Sequence, residues 1–245
     1  MQTQLNPGIR RVVVVVAALL GSCASAPRGA PGPAADALAA RIENAVNLDA
    51  WNQLAVVSWV FGGSHQWLWD RARGFVRLQD DQGTVLLDAW DRGGFVVDNE
   101  GGDVLGARAG ERLQSAWAAF INDSFWLNPF ATLRNQGARR ELLDIDGVKA
   151  LLIRYEGGGI TPGDSYAFFV DDTGLPTRWK LWVQVVPFGF QTSFEEWIDV
   201  DGARLAANHK AAGIGVSSSP IKGGKTLKDA GAVDDPFARL LARRH

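Results

Sequence analysis

Cysteine is all but missing from this chain. The only one is Cys23, so an intrachain disulfide and a cysteine-based zinc site are both excluded. Histidine is scarce too: His65, His209 and His245. No H-E-x-x-H, G-x-S-x-G or P-loop stands anywhere in the sequence. Basic residues are not in surplus, with 25 Lys and Arg against 27 Asp and Glu and a net charge of -2. Nucleic-acid binding through counterion release needs a basic surface, so that class is disfavoured. No apolar run reaches the roughly 20 residues of a membrane-spanning helix. No fixed-period repeat marks a solenoid or propeller. What remains is a 245-residue chain that is 47% hydrophobic and 21% charged, a globular composition long enough for a sizeable core. Tyrosine is sparse, at two residues, but tryptophan is abundant, at ten.

The first 22 residues read as an export signal. Arg10 and Arg11 precede an apolar run from Val12 to Leu20, about half the length of a membrane span. The run ends in Leu20-Gly21-Ser22-Cys23, an aliphatic residue, two small residues and a cysteine. This tetrapeptide resembles the lipobox of bacterial lipoproteins. The resemblance implies cleavage before Cys23, lipidation of Cys23, and attachment to a membrane of the cell envelope. With Ala24 rather than Asp after the cysteine, it implies the outer membrane. Acyl chains would supply the attachment, at about 0.8 kcal/mol per buried CH₂.

Residues 23–36 are rich in Ala, Pro, Gly and Ser and read as a flexible tether. Residues 37–245 then form one domain. Asp36 is a candidate N-cap for a helix over Ala37–Val46, whose Leu38, Ile42 and Val46 make one apolar stripe. Period-two patterns follow over Leu54–Phe61, Ser64–Asp70, Gly74–Gln79, Thr84–Trp90 and Gly93–Asp98. The strongest helical stripe runs from Gly110 to Phe125. Strand patterns resume at Arg139–Ile145 and Lys149–Tyr155, joined by Asp146-Gly147, then at Asp164–Asp171, Leu175–Val185, Phe190–Val200 and Ala203–Lys210. Residues 213–225 look irregular, with one short strand at most, and Pro236–Arg244 suits a terminal helix. Short turns force antiparallel neighbours. The expected fold is mainly β with covering helices (α+β): a curled antiparallel meander of about ten strands forming a half-open barrel, with a helix inserted midway.

Alternation sorts the strand faces. His65, Trp67 and Trp69 share one side. Trp179, Leu181 and Val183 share another, opposite Arg178, Lys180 and Trp182. Phe190, Thr192, Phe194 and Ile198 sit opposite Gln191, Ser193, Glu195 and Trp197. The aromatic sides form either a packed core or the wall of an apolar cavity. Trp182 and Trp197 are expected on the outer face.

This strand order, the midway helix, and the stretch Gly163–Leu175 followed by Pro176–Trp182 resemble the periplasmic lipoprotein carriers of the LolA/LolB type. That resemblance implies a half-open barrel whose hydrophobic cavity takes an acyl chain, a lipid or a lipoprotein, without catalysis. The lining residues expected from it and from the strand faces are Trp67, Trp69, Trp117, Phe120, Phe169, Trp179, Leu181 and Phe194. The alternative is an envelope protein–protein interaction module with a packed core, its partner unspecified.

Signs of chemistry are thin. His65 and His209 lack a carboxylate placed by spacing, Asp70 being the nearest thought. Glu195 and Glu196 are adjacent on a strand and point apart. Gly157-Gly158-Gly159 precedes no helix, and Ser217-Ser218-Ser219 with Lys222 and Lys225 reads as a solvated loop. The sequence implies no enzyme, cofactor or metal.

Overall fold

The computed structural model describes residues 26–145, 147–156, 163–183, 186–211 and 214–244. The signal segment, Cys23, the triple glycine and His245 lie outside the described residues. The chain opens with β1 (Ala30–Pro31), α1 (Pro33–Ala45) and α2 (Leu48–Gln53). A ladder follows: β2 (Val56–Phe61), β3 (His65–Asp70), β4 (Phe75–Asp80), β5 (Gly83–Asp88), β6 (Gly94–Val97) and β7 (Asp103–Val104). Next come α3 (Gly106–Leu127) and a 3-10 turn at Pro129–Thr132. The second half holds β8 (Ala138–Ile145), β9 (Val148–Tyr155), β10 (Ser165–Val170), β11 (Pro176–Val183), β12 (Val186–Ser193), β13 (Glu195–Val200) and β14 (Ala203–Ala211). It ends with β15 (Ile214–Ser217), β16 (Ile221–Gly224) and α4 (Ala238–Arg243).

The strands form three antiparallel sheets, none closed on itself: β16-β2-β3-β4-β5-β6-β7, β13-β14-β15, and β1-β8-β9-β10-β11-β12. The fold is thus mainly antiparallel β with covering helices, and open, but three sheets replace the single meander. The break falls at Phe194. Ser193 still pairs with Arg178 of β11, whereas Glu195 pairs with Asn208 of β14, so the expected strand Phe190–Val200 changes sheets midway. Glu196 has φ 55, and the backbone turn carries Trp197 to the inner side. There it stacks on Phe130 at 6.2 Å, contrary to its expected outward position. Ile198 leaves Phe194 and packs on the other side of the small sheet.

Two cores result. The first lies between the inner face of the seven-stranded sheet and α3, and includes Trp59, Trp67, Leu78, Leu87 and Phe120. The second lies between the six-stranded sheet and α1, the 3-10 turn and the end of α3, and includes Ile42, Phe130, Phe168, Trp179 and Phe194. The three-stranded sheet is the wall between them: Leu205 and Ala207 of β14 face the first core, and Ala206 faces the second.

The expected tether is partly structured. Ala30 and Pro31 pair with Leu142 and Glu141 of β8, and the Gly29 amide donates to Glu141 Oε2 at 2.9 Å. α1 starts at Pro33, not at an Asp36 cap. A proline at the first helical position sacrifices no intrahelical bond, and its fixed φ suits the helix, so Pro33 serves as a starter. Asp36 instead sits in the first turn and pairs with Arg140 at 2.6 Å.

The tail is also more regular than expected. β16 pairs with β2, placing Ile221 opposite Trp59. Residues 227–240 then cross the outer face of the seven-stranded sheet, where Phe237 and Leu240 are fully buried against Phe75, Leu68 and Leu86. Arg–Asp pairs hold them there: Arg73–Asp235 at 2.6 Å, Arg239–Asp103 at 2.8 Å, Arg243–Asp91 at 2.6 Å and Arg244–Asp88 at 2.6 Å. This sheet is therefore covered on both sides. Gly94 marks how closely its strands approach, since a Cβ there would sit 1.8 Å from the Leu86 carbonyl oxygen.

Candidate functional site: the seam under α3

Register gathers the aromatic rings. β2 sets Trp59 opposite Trp67 and Val57 opposite Trp69, so both tryptophans of β3 face α3. Trp59 and Trp67 stack at 5.8 Å. Phe120 of α3 stands at the centre, 5.7 Å from Trp67, 5.1 Å from Trp69 and 5.8 Å from Trp117. Trp51 of α2 closes one side, 6.5 Å from Trp69. The Arg71 guanidinium covers both of those rings and donates to the carbonyls of Trp51 and, at 2.9 Å, Leu54. Burial pulls its pKa down to about 10.

Two polar latches fasten α3 to this wall. Ala116, Phe120, Asp123 and Leu127 are the buried stripe of the helix, so a carboxylate stands where an apolar residue is the rule. Asp123 Oδ2 accepts from Trp67 Nε1 at 2.8 Å and meets His65 Nδ1 at 2.6 Å, while Asn122 donates to Oδ1 at 2.9 Å. The bond to Asp123 raises the His65 pKa above 6.5, with partial burial opposing it. Near the start of the helix, Arg112 donates to Asp80 at 2.5 and 2.6 Å. Beyond that latch opens a polar concavity of about 640 Å³, lined on the helix by Arg108, Glu111, Arg112 and Ser115 and on the sheet side by Asp81 and Asp98.

The expected lining residues do not share one space. Trp67, Trp69, Trp117 and Phe120 meet in the seam. Trp179, Leu181 and Phe194 belong to the second core. Phe169 lies on the opposite face of its sheet, packed with Leu143, Ala150 and Trp182 under Arg178. Phe168 takes the inner place, stacked 5.7 Å from Trp179. Trp182 is on the outer face as read. Six of the eight are buried, and their contacts are with one another and with neighbouring side chains. The rings fill these interiors.

The other candidates separate. His209 is 1% exposed and ringed by Trp126, Phe194 and Trp179 at 5.1, 5.2 and 6.0 Å, far in role from His65. Asp70 holds Arg73, not His65. Lys225 Nζ donates to the Gln53 carbonyl, Glu195 pairs with Lys210, and Glu196 bonds to Asn208. Among the described residues no three His, Cys, Asp or Glu side chains gather as metal ligands, and no helix is long and apolar enough to cross a membrane. Asp123 is the residue that sequence reasoning passed over. An acid at the i+3 position after Phe120, within the apolar stripe, was its signal.

No protein-family model matches the chain, and no curated protein matches it. Among solved structures, it is similar to a DUF1329 family protein from Desulfovibrio piger, at 16% identity over 86% of this chain and 99% of the other, with a TM-score of 0.43. It is similar to a LolA superfamily protein from Nitrosomonas europaea, at 12% identity over 79% and 94%, with a TM-score of 0.42. It is also similar to an outer membrane lipoprotein-sorting protein domain from Vibrio parahaemolyticus, at 9% identity over 82% and 97%, with a TM-score of 0.33.

Proposed function

We propose that this chain is a lipid-anchored envelope protein that binds an acyl chain, a lipid or a lipoprotein along the aromatic seam, with α3 as its cover and without catalysis. One observation carries the reading. A continuous wall of Trp51, Trp59, Trp67 and Trp69 is covered by one amphipathic helix, fastened by two polar latches, one of them beside a polar concavity. An incoming chain would take the place of Phe120 and Trp117 against that wall. It would gain about 25 cal/mol per Å² of apolar surface removed from water. Attachment through Cys23 would hold the seam near a membrane.

The filled seam favours a second reading, a packed interaction module without a ligand. One experiment separates the two. Protein purified from envelopes is analysed by native mass spectrometry, and a fluorescent fatty acid is titrated into delipidated protein. Co-purifying lipid and saturable probe uptake, increased in Asp123→Asn, support the seam. Absence of both leaves the interaction module. The anchor has its own test: Cys23→Ser protein should leave the membrane fraction, and continued membrane fractionation overturns the lipidation reading.

A further inference from the structure

The outer face of the seven-stranded sheet carries an unusual row of residues. Register places Lys222 of β16 opposite Ser58 of β2, Ser58 opposite Leu68 of β3, and Leu68 opposite Arg77 of β4. Lys222 and Arg77 are therefore three strand spacings apart, about 14 Å between backbones, with their long side chains on one face. Between them lies a concavity of about 160 Å³, roofed by residues 230–232 of the tail and bounded by Pro220. Among the described residues no acidic side chain lines it. The Lys222 Nζ approaches Gly231, 3.6 Å from the position a Cβ would occupy. Ser58 Oγ fixes the roof by donating to the Ala230 carbonyl at 2.8 Å.

Most of the half-buried arginines here have a polar partner, and Arg77 stands apart from them. Arg73, Arg112, Arg134, Arg140, Arg154 and Arg244 all contact carboxylates. Arg71, the other guanidinium with a lowered pKa, has two carbonyls and two indole faces. Arg77 is half-buried, its Nε is buried without a hydrogen-bond partner, and no ion pair to it exists among the described residues. A buried guanidinium N–H without a partner is unfavourable, and a bidentate oxyanion is what the fork fits. Lys222 borders the same concavity, across a serine and a leucine from Arg77.

We propose that this roofed pocket binds a phosphate-type oxyanion between Arg77 and Lys222, on the side of the sheet away from the seam. The anion is either free phosphate or the phosphodiester of a lipid headgroup. The site is independent of acyl-chain binding. It lies behind β2 and β3, so failure of one reading leaves the other standing.

The test is isothermal titration calorimetry of the full chain with sodium phosphate and with glycerophosphoglycerol, each against sodium chloride at matched ionic strength. Saturable one-to-one binding to at least one of them is expected, weakened at least tenfold in Arg77→Gln and in Lys222→Gln. Preference for phosphate identifies a free anion, and preference for the diester identifies a headgroup. Circular dichroism checks that each variant folds. Lys222 is exposed, so Lys222→Gln carries the test if Arg77→Gln does not fold. Binding no stronger than chloride for both ligands, or affinity unchanged in the folded variants, overturns the proposal.

Discussion

Acidification should destabilise this protein through one histidine, by an amount that follows from its surroundings. His209 is enclosed by Trp126, Trp179 and Phe194, with its Nδ1 3.1 Å from the Ser193 carbonyl. Burial drives its pKa from 6.5 to about 4; the carbonyls of Ser193 and Trp126 and the charge of Glu195 oppose that shift only partly. The unfolded chain takes up a proton below pH 6.5, and the folded chain resists until about 4. Stability contributed by neutral His209 is therefore full above 6.5 and is lost as the pH falls toward 4. At 1.36 kcal/mol per pKa unit, the loss at pH 4 is about 3 kcal/mol. That is a large share of the 5–15 kcal/mol typical of a domain. Urea unfolding followed by tryptophan fluorescence between pH 7.5 and 4 measures it, in the natural protein and in His209→Gln, whose amide can still donate to Ser193. Carboxylates titrate in both proteins, so the difference between them isolates His209. The advantage of the natural protein should shrink by about 3 kcal/mol across that range. Parallel curves would refute the assignment of a buried neutral imidazole.

His65 should behave in the opposite sense. Its pKa is raised by Asp123, so its contribution is present below pH 6.5 and is lost as the pH rises through its folded value; His65→Gln should flatten the dependence of Tm on pH between 5 and 8.5. Phe237→Ala should cost about 3–5 kcal/mol in urea unfolding, because the ring is fully buried against Phe75 at 5.7 Å. A loss below 1 kcal/mol would mean that the tail does not seal the sheet. Gly94→Ala drives a Cβ into the Leu86 carbonyl and should cost roughly 2–4 kcal/mol by the same measure, whereas Gly110→Ala, with open space around it, should be neutral or stabilising.

Local pattern made much of the architecture readable. Alternation in His65–Asp70 and in Pro176–Val183 assigned both strands to their proper faces, because side-chain period is a backbone property that tertiary context cannot alter within a straight strand. The pattern misled where the backbone departs from regularity. At Glu196 a left-handed residue reverses the parity, so Trp197 turned inward. Phe168 and Phe169 are adjacent and equally apolar, and only their pairing with Trp179 and Arg178 decides which one is inside. The tail was unreadable for a different reason. Its Gly-rich β16 is ordered by pairing with β2, a contact that no local window contains. For the candidate site, the aromatic wall was legible, but its latch was not. His65 and Asp123 are 58 positions apart, and a single sequence gives no reason to join them.

The pairing of β16 with β2 sets a timetable for biosynthesis. Ser58 must wait for Ala230, 172 residues downstream, so this face of β2 cannot be sealed until nearly the whole chain has emerged. Throughout that interval the apolar segment VVSWVF offers a free edge to any passing strand. Copies that end before Ile221 would keep that edge open, and should accumulate as aggregates rather than as shortened soluble protein.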